Sequence, residues 1–115
     1  MNPDDWFHDR PAALATFHAL RDAVAAFGPV ELAVTKSRVS FVRRNRFLWV
    51  HEANTDGAVW VGFDTARPID SPRLRSGARG NKWSHHVKLT GPDDLDAEFL
   101  AWAREAYDLS APEEG

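Results

Sequence analysis

Hydrophobic residues recur at steps of three and four positions near the start of the chain. The stripe consists of Leu14, Phe17, Leu20, Val24 and Phe27. This spacing places them on one face of an amphipathic helix. Pro11 suits a first helical turn, where its missing N–H costs nothing, and Gly28-Pro29 suits a helix end. The pattern therefore predicts a helix over about residues 10–27.

From residue 30 the period changes to two, which is typical of strands whose neighbouring side chains face opposite sides. Alternating runs cover residues 30–35, 39–42, 47–52, 59–64 and 83–89. Short connections, including the Asp56-Gly57 turn, predict an antiparallel meander for the first four strands. Residues 65–82 show no period and contain two prolines and two glycines. We therefore expect a long basic loop there.

Helical spacing returns after Gly91. The apolar stripe of this segment is Leu95, Phe99, Trp102, Ala106 and Leu109. Pro92 suits the first turn, and the carboxylates of Asp93 and Asp94 suit the positive end of a helix dipole. The pattern predicts a second helix over about residues 92–109.

The order of these elements is α-β-β-β-β-β-α. Two amphipathic helices must bury their stripes against a sheet, so we expect a two-layer α+β fold. Its five-stranded antiparallel sheet carries the N- and C-terminal helices on one face. Residues 1–115 form a single domain, with an N-terminal arm at 1–8, the basic loop at 65–82 and an acidic tail at 110–115.

Charge is unevenly distributed along the chain. The segment from Lys36 to Lys88 holds eleven Lys or Arg and four Asp or Glu, a balance of +7, whereas the flanks balance at −10. The formal net charge of −3 conceals this separation. A basic middle between acidic flanks indicates an anionic partner or a fold whose charged parts pair with each other.

Several classes of protein and site are disfavoured by the composition. The chain has no Cys, so it has no disulfide, thiolate metal site or cysteine nucleophile. The five His show no ligand spacing, so we expect no metal, and no cofactor motif is present. The acidic N-terminus lacks a secretory signal and no apolar run is long enough for a membrane span. We expect a cytoplasmic protein that does not bind membranes.

Four segments carry a family resemblance. They are Phe-Gly-Pro-Val-Glu (27–31), Val-Thr-Lys-Ser-Arg-Val-Ser-Phe (34–41), Trp-Ser-His-His-Val-Lys-Leu (83–89) and Pro-Asp-Asp-Leu-Asp (92–96). In these the sequence resembles the domain-of-unknown-function 5655 family of small bacterial domains. The resemblance implies an α+β domain and no established reaction. Because related domains occur beside nuclease-like or defence-type domains, it also points to nucleic acid.

The two adjacent histidines are expected to differ in role. Neighbours on a strand point to opposite faces, so His85 and His86 do not readily bind one metal. His85 shares its phase with Val87 and Leu89, and we expect a core-edge histidine bonded to backbone. His86 shares its phase with Lys88 and is the candidate for anion binding or acid/base catalysis near neutral pH. The alternative for His86 is a merely exposed strand residue.

Lys36 and Ser37 lie at a strand end, where an ammonium flanked by hydroxyls suits a phosphate or carboxylate. A solvated turn is the alternative. The other predicted ligand-binding residues are arginines, tryptophans and a lysine: Arg43, Arg44, Trp49, Arg73, Arg75, Arg79, Trp83 and Lys88. Arg46, Arg67, Lys82 and Trp60 belong to the same basic and aromatic segments. Such a mixture suits single-stranded nucleic acid or a nucleotide.

Our first interpretation is a small binding module that holds an anionic ligand, such as nucleic acid or a nucleotide, on a basic surface containing Trp. The second is a small enzyme with His86 as acid/base and Lys36 as anion stabiliser, which requires one pocket holding both. The third is a homodimer without a ligand, in which acidic helices pair with basic loops. Pairing of the last helix with the basic loop within one chain is a further alternative.

Overall fold

The computed structural model describes residues 2–110. A 3₁₀ turn at Pro3–Phe7 precedes helix α1, Pro11–Ala25. Six strands follow: β1 Glu31–Val34, β2 Val39–Val42, β3 Arg46–Ala53, β4 Val59–Thr65, β5 Leu74–Arg79 and β6 Lys82–Leu89. A second 3₁₀ turn at Pro92–Asp94 leads into helix α2, Ala97–Leu109. No helix within residues 2–110 is long and apolar enough to cross a membrane.

The predicted α+β domain with an antiparallel sheet is confirmed, but the sheet has six strands and not five. Its order is β1-β2-β3-β4-β6-β5. The extra strand, β5, lies inside the segment predicted as a loop at 65–82, so that part of the prediction was wrong. Strands β5 and β6 form a hairpin in which Arg79 pairs with Lys82. Gly80 makes this two-residue turn possible with a φ of +62°, which other residues rarely adopt.

Both helices pack on the same face of the sheet. Register aligns Phe41, Leu48 and Phe63 on that face. Phe17 of α1 lies 6.0 Å from Phe41 between ring centres, and Trp102 of α2 stacks on Phe63 at 6.2 Å. All five side chains are buried. This is the layer arrangement that two apolar helix stripes require.

The N-terminal arm and the start of α2 are held by specific contacts. Phe7 is buried and stacks on Phe17 at 4.8 Å between ring centres. Trp6 Nε1 donates to the Lys36 carbonyl at 3.2 Å. Helix α2 starts at Ala97, later than predicted, because Asp96 caps it by accepting from the Phe99 N–H at 2.9 Å. Apart from Ser110, the predicted acidic tail lies outside the described residues.

Two irregularities in β3 determine where its side chains point. The pairing with β2 shifts at Phe47, so that Phe47 is buried under Tyr107 of α2 instead of facing away from the helices. The pairing with β4 shifts at His51, so that Glu52 lies opposite Trp60. Bulges of this kind turn a side chain towards the other face. His51 and Glu52 therefore both lie on the face without helices.

The centre of that second face is closed by one aromatic side chain. Trp49 lies across Gly62, its partner on β4, and an added Cβ at Gly62 would overlap Cε2, Nε1 and Cζ2 of the indole. Trp49 is only 4% exposed although no helix covers it. Glycine at 62 is therefore required by the close approach of the ring.

We expect Gly62→Ala to destabilise the domain by about 1–3 kcal/mol, because the new methyl group forces the indole out of its position. Urea unfolding followed by Trp fluorescence measures the change. Gly77→Ala on β5 is the matched control, since no described atom lies within 4 Å of its Cβ position. Equal unfolding midpoints for the two variants would contradict this account of the Trp49–Gly62 contact.

Candidate functional site

The face of the sheet opposite the helices carries the candidate site. Register aligns one row of residues across five strands: Ser40, Trp49, Gly62, His86 and Arg75. A second row holds Glu52, Trp60 and Lys88, and a third holds Asp64, Ser84 and Gly77. We call this surface the open face. Apart from two tryptophans and two glycines, these rows consist of polar and charged side chains, in contrast to the apolar face under the helices.

Two arginines on the open face rest on tryptophan rings. The Arg46 guanidinium carbon lies 4.4 Å from the centre of the Trp49 ring. The Arg75 guanidinium carbon lies 4.9 Å from the Trp60 ring. Contacts of this kind attract the cation to the ring and restrict a flexible side chain. The N–H groups of both arginines are thereby presented above the sheet in a limited range of orientations.

A histidine pair occupies the space between the two arginine–tryptophan contacts. His86 Nδ1 and His51 Nε2 are 3.1 Å apart, within hydrogen-bond distance, so one ring donates and the other accepts. His86 also meets the Trp49 ring edge-on at 6.0 Å between centres. Burial lowers the pKa of both imidazoles, and His86 lowers the pKa of His51 further. Both rings are therefore favoured in the neutral state.

Positive charge accumulates beside Trp49. Burial lowers the pKa of Arg46, and the nearby charges of Arg38 and Arg79 lower it further, while Asp64 opposes the effect. Asp64 is buried, accepts from the Ser84 hydroxyl at 2.6 Å and lies 3.8 Å from Arg79. One buried carboxylate thus sits among three arginines. An anionic ligand placed here would relieve the repulsion among them.

In the part of the chain that the structure describes, the open face contains three hollows. One, of about 280 Å³, is lined by His51, Glu52, Trp60, Arg75 and His86. Another, of about 390 Å³, is lined by Asn45, Arg46, Asp64, Arg79 and Lys82. The hollow of about 410 Å³ along β5 shares Arg75 and His86 with the first and Arg79 with the second. All three are shallow and open, which suits an extended ligand more than an enclosed small molecule. Within residues 2–110, no three His, Asp or Glu side chains are grouped so as to hold a metal ion.

Five of the residues predicted from the sequence meet on the open face. They are Trp49, Arg75, Arg79, His86 and Lys88. Trp49 differs from the expectation in one respect, because its burial beneath Arg46 leaves no ring face for a base to stack on. Its function here is to support Arg46. Trp60, which is half-buried, retains more accessible ring surface.

Three other predicted residues lie on the helix side. The Arg43 guanidinium packs 4.0 Å from the Tyr107 ring centre and donates to the Tyr107 carbonyl. Trp83 shares the phase of His85 and therefore faces the helix layer. Arg73 pairs with Asp96 and Glu98 at 3.1 and 2.8 Å, and these hydrogen bonds raise its pKa. Arg73 therefore follows the alternative of pairing with the last helix within one chain.

The predicted residues at two turns do not join the open face. Arg44 lies in the β2–β3 turn, where its backbone N–H donates to the Ser110 hydroxyl. Ser37 lies in the β1–β2 turn, and its N–H donates to Thr35 Oγ1. Lys36 lines a separate hollow of about 480 Å³ between the N-terminal arm and the end of β3. That hollow shares only His51 and Glu52 with the two hollows that contain His86, so Lys36 and His86 do not line one pocket.

Sequence reasoning missed two residues of the open face. His51 shares the phase of Trp49 along β3, so alternation was an available signal for its place near His86, and the bulge adds Glu52 to the same face. Arg38 acts on Arg46 and His51 through its charge. Its phase with Ser40 at the start of β2 was the available signal, since alternate residues of a strand share a face.

Comparison with known proteins gives a family and no closer relative. The model of the family described as "Domain of unknown function (DUF5655)" matches residues 4–110. No curated protein and no solved structure matches the chain.

We expect the imidazoles of His51 and His86 to titrate below the ordinary range, because burial disfavours their charged forms. His86→Gln should raise the pKa of His51, since it removes a neighbouring positive charge. Proton NMR titration of the ring resonances measures both effects. His18→Gln on α1 is the matched control and should leave the His51 curve unchanged. A His51 curve that does not move in His86→Gln would contradict the coupling.

Proposed function

The chain belongs to the domain of unknown function family DUF5655, and we propose that it is a binding module whose open face holds an anionic ligand, single-stranded nucleic acid above all. The observation that carries the proposal is the pair of tryptophan-supported arginines, Arg46 and Arg75, on one polar face. Phosphate oxygens are the natural acceptors for a guanidinium fork. The histidine pair between them supplies further hydrogen-bonding groups.

The distribution of charge between the two sides of the sheet supports this proposal. On the helix side, Arg67 pairs with Glu105 at 3.0 Å and Arg73 pairs with Asp96 and Glu98. The cations of the open face are Arg38, Arg46, Arg75, Arg79, Lys82 and Lys88, against the carboxylates Glu31, Glu52 and Asp64. Fixed positive potential of this kind attracts polyanions. The excess of the basic middle segment is therefore concentrated on the face that no helix covers.

The span of the site favours a polymer over a single phosphate. Arg46 belongs to β3 and Arg75 to β5, and strands β4 and β6 lie between them. Three strand spacings amount to about 14 Å. One phosphate cannot bridge that distance, whereas a nucleic acid strand laid across the sheet meets both arginines. The shallow shape of the hollows agrees with such a ligand.

Base stacking contributes less to this proposal than the sequence indicated. Trp49 is covered by Arg46, so Trp60 is the aromatic side chain best placed to meet a base. We therefore expect phosphate contacts to supply most of the affinity, with a steep dependence on salt. The enzyme interpretation lacks the single pocket it requires, because Lys36 and His86 line different hollows.

We expect Arg46→Ala combined with Arg75→Ala to weaken binding of a fluorescently labelled single-stranded oligonucleotide at least tenfold. Each lost phosphate contact should also reduce the slope of log K against log salt by about 0.7. Fluorescence anisotropy at several salt concentrations measures both quantities. Labelled duplex of the same length tests the preference for single strands.

The matched control is Arg21→Ala combined with Arg104→Ala, which removes the same charge from the helix layer. Arg21 contacts Asp22 and Arg104 contacts Asp108, both on the surface. The control should bind like the unmodified protein. Equal loss in both double variants would mean that only net charge matters, and no binding by the unmodified protein at low salt would refute the proposal.

A further inference from the structure

A second polar cluster lies at the edge strand β5, on the helix side of the sheet and not on the open face. His85 has no exposed surface. Its Nδ1 lies 2.6 Å from the hydroxyl oxygen of Ser76 on β5, and its Nε2 lies 2.7 Å from the hydroxyl oxygen of Thr65 on β4. These two hydroxyls contact the ring in addition to the Arg67 backbone, which also forms a hydrogen bond with His85. Both ring nitrogens are therefore engaged by groups that the proposed binding function does not use.

The direction of each hydrogen bond follows from the number of protons available. The Thr65 hydroxyl donates its only proton to the Arg67 carbonyl at 2.6 Å. Thr65 Oγ1 must then accept from Nε2–H of His85. In the neutral ring Nδ1 carries no proton and accepts from the Ser76 hydroxyl. These hydrogen bonds together favour the tautomer in which Nδ1 of His85 accepts a hydrogen bond from the Ser76 hydroxyl.

Ser76 is accessible although its partner is buried. Strand β5 forms an edge of the sheet, and Ser76 is exposed. The hollow of about 410 Å³ along this strand lies on the open face, where its lining includes Arg75, Arg79 and His86. The Ser76 side chain points to the opposite side of the sheet, towards His85. A ligand of the Ser76 hydroxyl would therefore approach from the outer edge of β5 on the helix side.

We propose that Ser76 is an activated nucleophile towards carboxylic esters, with His85 as its general base and Thr65 as the residue that positions His85. A serine bonded to an imidazole whose other nitrogen is held by a third group is the arrangement that such catalysis uses. Ser76 and His85 are the catalytic residues, and Thr65 acts through His85. This proposal is independent of nucleic acid binding at the open face.

Hydrolysis of an ester by this route consumes only the ester and one water molecule. Ser76 Oγ attacks the acyl carbon while its proton passes to His85 Nδ1, and the carbonyl electron pair moves to oxygen. Collapse of this adduct breaks the bond to the leaving alkoxide, which takes the proton from Nδ1 and departs as an alcohol. Water then adds by the same route and releases the acid, restoring the Ser76 hydroxyl.

The edge position of β5 leaves backbone N–H groups without a strand partner, and one of them has to meet the developing oxyanion in this reaction. No strand among the described residues pairs with its outer side. Alternate backbone N–H groups of an edge strand point away from the sheet. Donors of this kind stabilise the negative charge that forms on the former carbonyl oxygen.

The electrostatic surroundings fit a base that works in its neutral form. Burial lowers the pKa of His85, while the Arg67 backbone, Asp64 of β4 and Glu105 of α2 act in the opposite direction and the Arg67 charge reinforces the lowering. The ring is therefore ready to accept a proton at neutral pH. The same two carboxylates favour the imidazolium once it forms.

The test is covalent labelling with a fluorophosphonate, in which the Ser76 oxygen forms a bond to phosphorus and fluoride leaves. The proton passes through His85 to solvent. We expect one label per chain by intact-mass spectrometry, located at Ser76 by peptide mapping. Ser76→Ala should abolish it. Ser37→Ala, which removes an exposed serine in the β1–β2 turn away from His85, is the matched control and should be labelled at the rate of the unmodified protein.

The pH dependence separates activation from mere exposure of a serine. The rate of labelling should rise with pH and reach its plateau below the ordinary imidazole range, because the neutral ring is the base. Thr65→Val should slow labelling at the plateau, and Thr65→Ser should restore it. Both variants keep Ser76 in place, and circular dichroism checks their folding. His85→Gln, if it folds, should lower the rate at least tenfold.

Three results would overturn the proposal. The first is no labelling of the unmodified protein under conditions that label a known serine hydrolase. The second is a label that persists in Ser76→Ala. The third is an identical rate and pH profile in the unmodified protein and folded Thr65→Val, because His85 would then be a structural residue only.

Discussion

The contact of Trp49 with Gly62 is the constraint on which the open face depends. The helices cover one side of the sheet, so the centre of the other side must be protected from water by side chains alone. Trp49 does this because Gly62 leaves room for its ring. The buried indole then supports Arg46 above it and His86 at its edge. A larger residue at 62 would disturb the packing, the arginine and the histidine pair together.

The charge separation seen along the chain has two outcomes in the fold. Some arginines of the basic segment from Lys36 to Lys88 form ion pairs with the C-terminal helix and its N-cap. Arg73 pairs with Asp96 and Glu98, and Arg67 pairs with Glu105. Those on the open face, such as Arg46 and Arg75, rest on aromatic rings instead. Ion pairing at the surface contributes little to stability on its own. The functional consequence is the contrast between a neutralised helix layer and a basic open face.

Periodicity predicted the parts of the fold that bury an apolar face. Both helices, five of the strands and the two-layer arrangement followed from it, because burial imposes the pattern. Periodicity did not predict strand β5, because most of this strand is exposed at the sheet edge and neither of its faces has to be apolar. The site was only partly predictable. His86 and Arg75 were expected there, and the phase of Trp49 was an available signal for His51, whereas Glu52 reaches this face only because of the bulge in β3. The Ser76–His85 contact joins residues nine positions apart in a hairpin, and the prediction of a loop at 65–82 gave no sign of it.

The most direct test of the central claim is to map an anionic ligand onto the sheet by NMR. Amide shifts are followed while a short single-stranded oligonucleotide is added at low salt. The account predicts saturable shifts in β3, β4, β5 and β6, with the His51 and His86 ring resonances moving with them and helix α2 unaffected. Shifts concentrated on the helix layer, or around Lys36 and the N-terminal arm, would contradict it, because the ligand would then bind away from the arginines that Trp49 and Trp60 support.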